Sequence, residues 1–409
     1  MSVIRMTLVI MIYYLVSAIS YVTATETFDL GETAFDPSQI MFDKSVSPLQ
    51  INLAAGYSDN YNALLESDIQ ASSIVAAVNG SIVSKQQNYW FEANYLAATN
   101  MFQLSDTEIP QDDQYNAFDL NVNNRFFLSS HWSIDLNARV KQADERIGTG
   151  ISKFRANIAQ KDSVNITQGA MKLTFGAEPR YRSIQLNLVK SKRNYDDVHS
   201  YSNLFDQNTD LASLYSNFTI SDQTQLIGLL EYRKTDNPQL PSADSTNYRA
   251  LAGAAWKFSG KTKVMALVGA YQRKGKSNAD TSGLNWELKA EFYPRQDVLF
   301  NLSSQRNATV ADNNEQSIDT LVSQHELELL YFYSEQWRFG AKSQLRTLDY
   351  EQETLSSGSD ELNTQLLCQL ILSEQNQIHF TIGFQSLEDQ SRNVDYTQNT
   401  VKVAWQYEY

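Results

Sequence analysis

The stretch that decides the fold is Val401-Lys402-Val403-Ala404-Trp405-Gln406-Tyr407-Glu408-Tyr409, the last nine residues of the sequence. Its odd-numbered positions are all apolar or aromatic, whereas its even-numbered positions are polar apart from the small Ala404. Such an alternation predicts a β-strand with one apolar and one polar face. An apolar strand at the edge of a soluble sheet promotes aggregation, whereas a barrel that pairs its last strand with its first has no free edge. The stretch fits either the last strand of a soluble β-domain or the closing strand of a barrel.

The same alternation recurs in strand-length segments along the chain. Clear cases are residues 132–141, 286–292, 337–342 and 378–385. A soluble sandwich would cover each apolar face with a second layer, and the chain offers no further elements for that layer. Lipid is the simplest cover for an apolar face that recurs in strand after strand. The predicted fold class is therefore all-β, a transmembrane antiparallel up-and-down β-barrel.

Short polar segments separate the predicted hairpins. They lie near Lys85-Gln86, Ser130-His131, Pro179-Arg180, Ser221-Asp222, Ser259-Gly260, Pro294-Arg295, Ser334-Glu335 and Glu374-Gln375. Their spacing of roughly 35 to 49 residues fits two membrane strands with a loop and a turn. A β-propeller repeats at a similar length but uses four shorter strands per repeat. The pattern predicts about eighteen strands within residues 48–409, with both ends of the barrel chain on one side of the membrane.

Composition excludes several classes of protein. The 409 residues carry a formal charge of −14, which argues against nucleic acid as a partner. Beyond the N-terminus the sequence has no run of 18 apolar residues that would form a transmembrane helix. The single cysteine, Cys368, excludes an intrachain disulfide and is expected to pack as a small apolar side chain.

The N-terminal region is predicted to contain two segments. Residues 1–24 resemble a secretory signal peptide, because Arg5 precedes an apolar stretch and Val22-Thr23-Ala24 offers a small-residue cleavage site. A membrane-anchoring helix is the alternative. Residues 25–47 are acidic and irregular, and form either a periplasmic tail or a plug that enters the barrel; a solvated tail is the simpler interpretation.

Aromatic residues cluster near the predicted short turns, where the interfacial girdle of a membrane barrel belongs. The residues of this predicted girdle are Phe126, Phe127, Trp132, Phe175, Tyr181, Tyr232, Trp256, Phe258, Phe292, Tyr293, Tyr331, Phe332, Tyr333 and Trp337. Residues 150–165 are predicted to form a long external loop. Other polar loops are expected at residues 105–114, 196–206, 310–317 and 351–361.

The sequence offers no catalytic motif and no ordered set of metal ligands. Its four histidines are scattered, and H-E-x-x-H, C-x-x-C, G-x-S-x-G and phosphate-binding loop patterns are missing. His199 lies near Asp196, Asp197 and Ser200, a grouping that a hydrolase at the barrel rim could use. Such groupings are common by chance in polar loops. We therefore predict no enzyme activity, cofactor or metal.

A barrel of about eighteen strands is wide enough for an aqueous lumen. The polar faces of the strands provide the candidate lumen-lining residues. These are Asp135, Arg139, Glu231, Arg233, Glu287, Lys289, Glu291, Glu326, Glu328, Arg338, Lys342 and Arg346. Opposed charges could set a transverse field that orients polar solutes. The alternative is that they form salt bridges that stabilise a narrowed or closed bore.

Several short motifs resemble a known family. They are Gly56-Tyr57-Ser58-Asp59-Asn60-Tyr61, Glu66-Ser67-Asp68, Tyr293-Pro294-Arg295, Asp349-Tyr350 and Asp395-Tyr396. With the terminal aromatic strand, this pattern resembles the type 2 β-barrel porins of Gram-negative bacteria, which occur in exopolysaccharide or capsule gene clusters. The family transfers no catalytic or binding residues.

The resemblance implies a porin-like channel in the outer membrane, linked to exopolysaccharide export or surface polysaccharide assembly. A non-conducting structural barrel and a rim hydrolase are the alternatives. Implied partners are outer-membrane lipid and lipopolysaccharide, the barrel assembly machinery, and polysaccharide or export-complex proteins. Val403, Trp405, Tyr407 and Tyr409 are expected to form the membrane-assembly signal. The acidic composition departs from what an anionic polysaccharide would require.

Overall fold

The computed structural model describes residues 49–60, 69–105, 113–147, 150–152, 158–176, 182–196, 198–276, 280–309, 320–351, 356–389 and 394–409. The predicted signal peptide and the acidic segment 25–47 lie outside the described residues, as do Pro179-Arg180, Tyr181, Asp197 and the predicted loop at 310–317.

Almost every described residue belongs to one of eighteen strands or a short connection. The strands are β1 (Gln50–Ser58), β2 (Ala71–Gln86), β3 (Tyr89–Leu104), β4 (Gln114–Phe127), β5 (Trp132–Glu145), β6 (Asp162–Phe175), β7 (Arg182–Tyr195), β8 (Gln207–Ser221), β9 (Thr224–Asp236), β10 (Ser245–Ser259), β11 (Thr262–Gly275), β12 (Thr281–Arg295), β13 (Val298–Thr309), β14 (Thr320–Phe332), β15 (Trp337–Glu351), β16 (Ser356–Ile371), β17 (Asn376–Asp389) and β18 (Val394–Glu408). Short 3-10 helices cover Gly150–Ser152, Ser202–Phe205 and Pro241–Ala243. Among the described residues, no helix has the length and apolarity needed to cross a membrane.

The sheet closes on itself. Every strand pairs antiparallel with its sequence neighbours, and β1 pairs with both β2 and β18. In the closing register Ala54 lies opposite Ala404, and the Tyr409 N–H donates to the Leu49 carbonyl oxygen at 3.0 Å. The predicted eighteen-stranded up-and-down barrel is confirmed.

The two faces of the sheet differ as the alternation predicts, with the apolar face outside. Ile74, Val268 and Ile382 are exposed, whereas the polar side chains of Asn285 and Gln369 on the other face are buried. The buried face is the concave one, because side chains on non-adjacent strands meet there. For example, Arg249 on β10 donates to Asn307 on β13, across two intervening strands. The outward apolar wall is the surface that a bilayer covers.

The two ends of the barrel are unequal. Short turns join alternate strands at the end where β1 begins and β18 finishes, whereas the connections at the other end are mostly longer. In one short turn Arg295 Nε donates to Asp297 Oδ1 at 2.8 Å, and this hydrogen bond lowers the pKa of the Asp297 carboxyl. Both ends of the barrel chain therefore lie on the short-turn side, as the even strand number requires.

Some predicted boundaries were wrong. Residues 162–165 belong to β6, and residues 356–361 belong to β16, so both predicted loops are shorter than expected. Pro294 and Arg295 end β12, and the register shifts beside them. The strands of a membrane barrel extend beyond the bilayer, and their ends are polar like the loops that follow them. Polarity in the sequence therefore does not mark where strand pairing stops.

Aromatic pairs do ring the short-turn end. Tyr89 packs on Phe126, Trp132 on Phe175, and Trp256 on Phe258, with ring centroids 5.1, 4.9 and 4.6 Å apart. Tyr232 was wrongly placed in this group: it lies near the opposite end of β9, where its ring is 5.5 Å from that of Tyr248. Phe127 and Phe332 do lie at the short-turn end but on the inner face, opposite Ser133 and Arg338. An outward aromatic near each end of a strand suits the two interfaces of a membrane.

Candidate functional site: the inner wall of the barrel

The candidate functional site is the inner wall, and the strand registers assign residues to it. All twelve sequence-selected charges share the face of their strands that carries the buried polar side chains. They are Asp135, Arg139, Glu231, Arg233, Glu287, Lys289, Glu291, Glu326, Glu328, Arg338, Lys342 and Arg346. They are spread over β5, β9, β12, β14 and β15, so they line a wall and form no single cluster.

On one side of the barrel these charges form ion pairs between neighbouring strands. Arg125 on β4 pairs with Asp135 on β5, and Lys172 on β6 lies 3.2 Å from the same carboxylate. Arg139 on β5 binds Asp119 on β4, with Nε 2.9 Å from Oδ1. Arg125, Lys172 and Asp119 are lining residues that the sequence selection missed, although their alternation with apolar neighbours matches that of Asp135.

The other side also carries ion pairs, some between neighbouring strands and some within one strand. Glu231 accepts from Arg249 at 3.3 Å and lies 3.4 Å from Arg233. Lys342 on β15 lies 2.7 Å from Glu326 on β14. On β12, Lys289 lies 3.0 Å from Glu287. These pairs join residues of the same strand or of neighbouring strands and do not span the bore, so this part of the structure contains the salt-bridge arrangement.

Amide side chains fill much of the remaining inner wall. Asn137 Nδ2 donates to Asn123 Oδ1 at 2.6 Å, and Asn52 Nδ2 donates to Asn79 Oδ1 at 2.8 Å. Asn301 donates to Glu328 at 2.6 Å. An amide offers donors and acceptors without net charge. The sequence signal for this lining is the recurrence of Asn and Gln at inner positions, which selection by charge alone overlooked.

One part of the inner wall is apolar. Ile227, Leu229, Leu251 and Leu267 form a buried cluster on β9, β10 and β11. Gly269 lies beside it, and a Cβ there would fall 1.8 Å from the Ala250 carbonyl oxygen. The two strands are therefore pressed together at this point, and glycine is required by the close approach.

Two long connections fold over the inner wall at the loop end. Ile151, in the connection from β5 to β6, packs on Ala143 and Val164, which are both inner-face residues. The Glu145 carboxylate accepts from the Ile151 N–H at 2.9 Å and from the Tyr195 hydroxyl at 2.8 Å. The mouth of the barrel is narrowed on this side.

A second set of contacts holds the neighbouring connection. The Ser202 hydroxyl donates to Asp162 Oδ1 at 2.7 Å, and Tyr201 and Phe205 pack against the same apolar cluster as Ile151. Together the two connections lie over the ends of β4 to β8.

The described members of the histidine grouping, which exclude Asp197, show no contact between His199 and a carboxylate. The His199 ring stacks on Tyr201 with centroids 5.0 Å apart, and its Nε2 lies 3.1 Å from the Gln160 carbonyl oxygen. Asp196 instead accepts from Asn165 at 3.1 Å. Across the described part of the chain, no three His, Cys, Asp or Glu side chains are grouped to hold a metal ion.

The residues of the expected assembly signal lie on the outer face of β18. Val403 is opposite Phe380 and Ala55, and Trp405 is opposite Ile378 and Leu53. Tyr407 stacks on Trp405 with centroids 6.2 Å apart, and Tyr409 is exposed at the short-turn end.

The chain was compared with protein-family models, with curated proteins and with solved structures, and similar proteins were found among the solved structures. No protein-family model and no curated protein matches this chain. Among solved structures, Pseudomonas aeruginosa OccK5 (OpdH) is similar at a TM-score of 0.49 and 11% identity, covering 89% of this chain and 98% of that one. The FrpB iron transporter from Neisseria meningitidis is similar at a TM-score of 0.48 and 10% identity, covering 87% of this chain. This chain spans 64% of the length of that transporter.

The architecture itself defines the class. A closed antiparallel barrel with an apolar outer wall, aromatic residues near both ends and a polar interior is a transmembrane β-barrel of the outer-membrane type.

Proposed function

We propose that this protein is a porin-like channel of the outer membrane that passes polar solutes, and that it serves exopolysaccharide export or surface polysaccharide assembly. The observation that carries the proposal is the inner wall, which is lined by amides and by charges paired along the wall. A barrel of this strand number has room for an aqueous path. The proposal assigns no catalysis.

The lining favours saccharides over ions. Each hydroxyl of a sugar both donates and accepts a hydrogen bond, and side-chain amides such as Asn123 and Asn137 offer both functions. Arg139 is paired with Asp119, and Lys342 with Glu326, so these charges largely neutralise one another and produce only a weak electric field in the lumen. A weakly binding, neutral and polar wall lets such a solute enter and leave.

The proposed setting follows from the fold and from the resemblance to type 2 porins. The outer wall would contact outer-membrane lipid and lipopolysaccharide, and insertion would use the barrel assembly machinery. Export-complex proteins would meet the barrel at its short-turn, periplasmic end.

Solute uptake into proteoliposomes tests the proposal. We expect neutral oligosaccharides to enter faster than acidic ones of equal size. Asn123→Leu with Asn137→Leu should slow the neutral sugars several-fold, whereas Leu136→Val on the outer face should leave uptake unchanged. The chain is tested with and without residues 25–47, because that segment is predicted to be a tail or a plug. Folded barrels of both forms that admit no sugar would refute the channel.

One observation favours a second candidate, a non-conducting structural or assembly barrel. The connections that carry Ile151 and Ser202 narrow the mouth, as in a barrel whose lumen is filled. Folded barrels that admit no solute, both with and without residues 25–47, would favour this candidate. A rim hydrolase is the weakest alternative, since His199 faces a backbone carbonyl; ester hydrolysis lost specifically in His199→Ala would support it.

A further inference from the structure

The outer wall of the barrel carries a group of lysines near the loop ends of β7, β9 and β11. The members of this lysine patch are Lys190, Lys192, Lys234 and Lys274, and all four are exposed. They lie on the outer face, because each is an even number of residues from an outward-facing residue of its own strand, such as Leu188 or Tyr232. The chain as a whole is acidic, with a formal charge of −14, so this concentration of positive charge distinguishes one part of the wall.

Most of the patch belongs to a single row of residues across five strands. Lys190 is the register partner of Asp210, and Asp210 is the register partner of Lys234. Thr246 continues the row and pairs with both Lys234 and Lys274. Adjacent strands lie about 4.8 Å apart, so successive lysines of the row are separated by about 10 Å at the backbone. Because a lysine side chain is long and flexible, two of them can converge on one anionic group.

Two outward-facing aspartates of the same strands do not neutralise the patch. Lys190 lies 2.9 Å from Asp210, and Lys234 lies 2.7 Å from Asp236. The two lysine side chains are 78% and 45% exposed. Exposed ion pairs are weak, so these lysines can still bind another anion. Four lysines against two aspartates leave the patch with a net positive charge.

Another part of the loop-end rim carries the reverse charge. On β15 to β18, the outward-facing charged side chains that the structure describes near the loop end are all acidic. They are Asp349, Asp360, Glu388 and Asp395. An anion would be repelled there and attracted to the lysine patch. The charges of the rim therefore select one part of the outer wall for an anionic partner.

An apolar groove lies on the bilayer side of the lysine patch. Its volume is about 490 Å³, and its outward-facing lining includes Leu230, Tyr248, Ala250 and Ala270. The inward-facing residues that also border it lie between outward-facing ones along their strands. Ala250 and Ala270 are register partners and form a low floor, beside which Leu230 is 56% exposed. Lys274 lies over the Tyr248 ring, 6.0 Å from its centroid, so the patch and the groove meet at this tyrosine.

We infer that the lysine patch and this groove together form a binding site for lipopolysaccharide, a phosphorylated glycolipid of the outer leaflet. The lysines bind its phosphates, and the groove takes one acyl chain. Tyr232 and Tyr248 lie between the lysines and the apolar floor, where a polar headgroup meets the acyl chains. The loop end faces the outer leaflet, because the long loops of outer-membrane barrels are extracellular. A soluble anion would use the lysines alone, whereas this lipid uses the lysines and the groove. The inference rests on the outer-membrane setting of the proposed function and does not depend on conduction.

Binding of lipopolysaccharide to the folded full chain in uncharged detergent micelles tests the patch. The variant carries Lys190→Gln, Lys192→Gln, Lys234→Gln and Lys274→Gln. Its affinity should fall by about 25-fold or more, because a lysine near an anionic lipid surface favours binding about fivefold and two of the four already have a carboxylate partner. The control removes the same charge from exposed lysines at the short-turn end, through Lys85→Gln, Lys257→Gln, Lys261→Gln and Lys263→Gln. Equal affinities of the two variants would overturn the site.

Removal of the competing carboxylates gives a test of opposite sign. Asp210→Asn with Asp236→Asn should tighten lipopolysaccharide binding several-fold, since the lysines lose their partners within the chain. A variant that fails to fold cannot produce this result. Unchanged or weaker binding by a folded barrel, as judged by heat-modifiable migration, would contradict the role of the patch.

Filling the groove tests the acyl chain. Ala250→Leu with Ala270→Leu should weaken binding several-fold, whereas Ala138→Leu, at an exposed position of the outer wall on β5, should not. Displacement of the lipid by an equal concentration of inorganic pyrophosphate would instead assign the lysines to a soluble anion. A dimer that the groove variant dissociates, without lipid binding, would assign the groove to a second copy of the chain. Either result overturns the inference, whereas lipid binding by a barrel that admits no solute supports the site and refutes only the channel.

Discussion

Substitution of arginine on each face of one strand tests the assignment of the two faces. Leu214 lies at the middle of β8 on the outer face, opposite Leu230, and is exposed to the membrane. Its neighbour Ser213 lies on the inner face, opposite Glu231. Leu214→Arg places a cation in the bilayer midplane, which costs about 2–4 kcal/mol. Ser213→Arg places the same side chain beside a carboxylate in the lumen, and should cost within about 0.5 kcal/mol.

The assay is reversible urea unfolding in lipid vesicles, followed by tryptophan fluorescence. Since each 1.4 kcal/mol is a factor of ten, the expected loss for Leu214→Arg is about 30- to 1,000-fold in the folding equilibrium constant. Because both substitutions place the same side chain on the same strand, the strand propensity of the arginine itself enters both losses equally. Equal losses, or a larger loss for Ser213→Arg, would refute the orientation of the sheet.

Three further predictions concern the closing strand, the lumen and the glycine contact. Deletion of residues 401–409 removes the strand that pairs with both β17 and β1, so heat-modifiable migration should be lost; normal migration would contradict the closure. In a chain without its native cysteine, a cysteine at Lys342 should react with water-soluble thiol reagents while one at Ala341 should not; the reverse pattern would invert the faces. Gly269→Ala should lower the free energy of unfolding by about 1–3 kcal/mol, because the added Cβ would meet a backbone carbonyl oxygen. Gly169→Ala is the control, since a Cβ there meets nothing within 4 Å, and urea unfolding should show almost no change.

Much of the fold could be predicted from the sequence because one physical rule repeats in every strand. In β5, Trp132, Ile134 and Leu136 face outward while Ser133 and Asp135 face inward, so the period of two specifies the strand, its faces and its membrane setting together. Strand ends were less predictable. Residues 162–165, apart from Val164, and residues 356–361 are polar or glycine and are predicted to be loops. They nevertheless pair, since a barrel strand continues beyond the bilayer into water.

Only part of the inner wall could be predicted from the sequence. Alternation selects the inner face, so residues such as Glu231 could be assigned to it. The hydrogen-bond and ion-pair partners of these residues could not be assigned from the sequence. Arg249 contacts Glu231 and Asn307 because of the order and register of the strands, which the alternation does not specify. The inward fold of the connection carrying Ile151 was also beyond prediction, since it depends on apolar inner residues of three different strands.

The measurement that tests the central claim most directly is single-channel conductance in a planar bilayer, recorded for the chain with and without residues 25–47, in the absence and in the presence of oligosaccharide. The account predicts stable conducting steps, at least for the chain without residues 25–47, and it predicts that a neutral oligosaccharide blocks these steps in a concentration-dependent way. Correctly folded barrels that stay silent in both forms would contradict a channel, and steps that no saccharide affects would contradict a saccharide path.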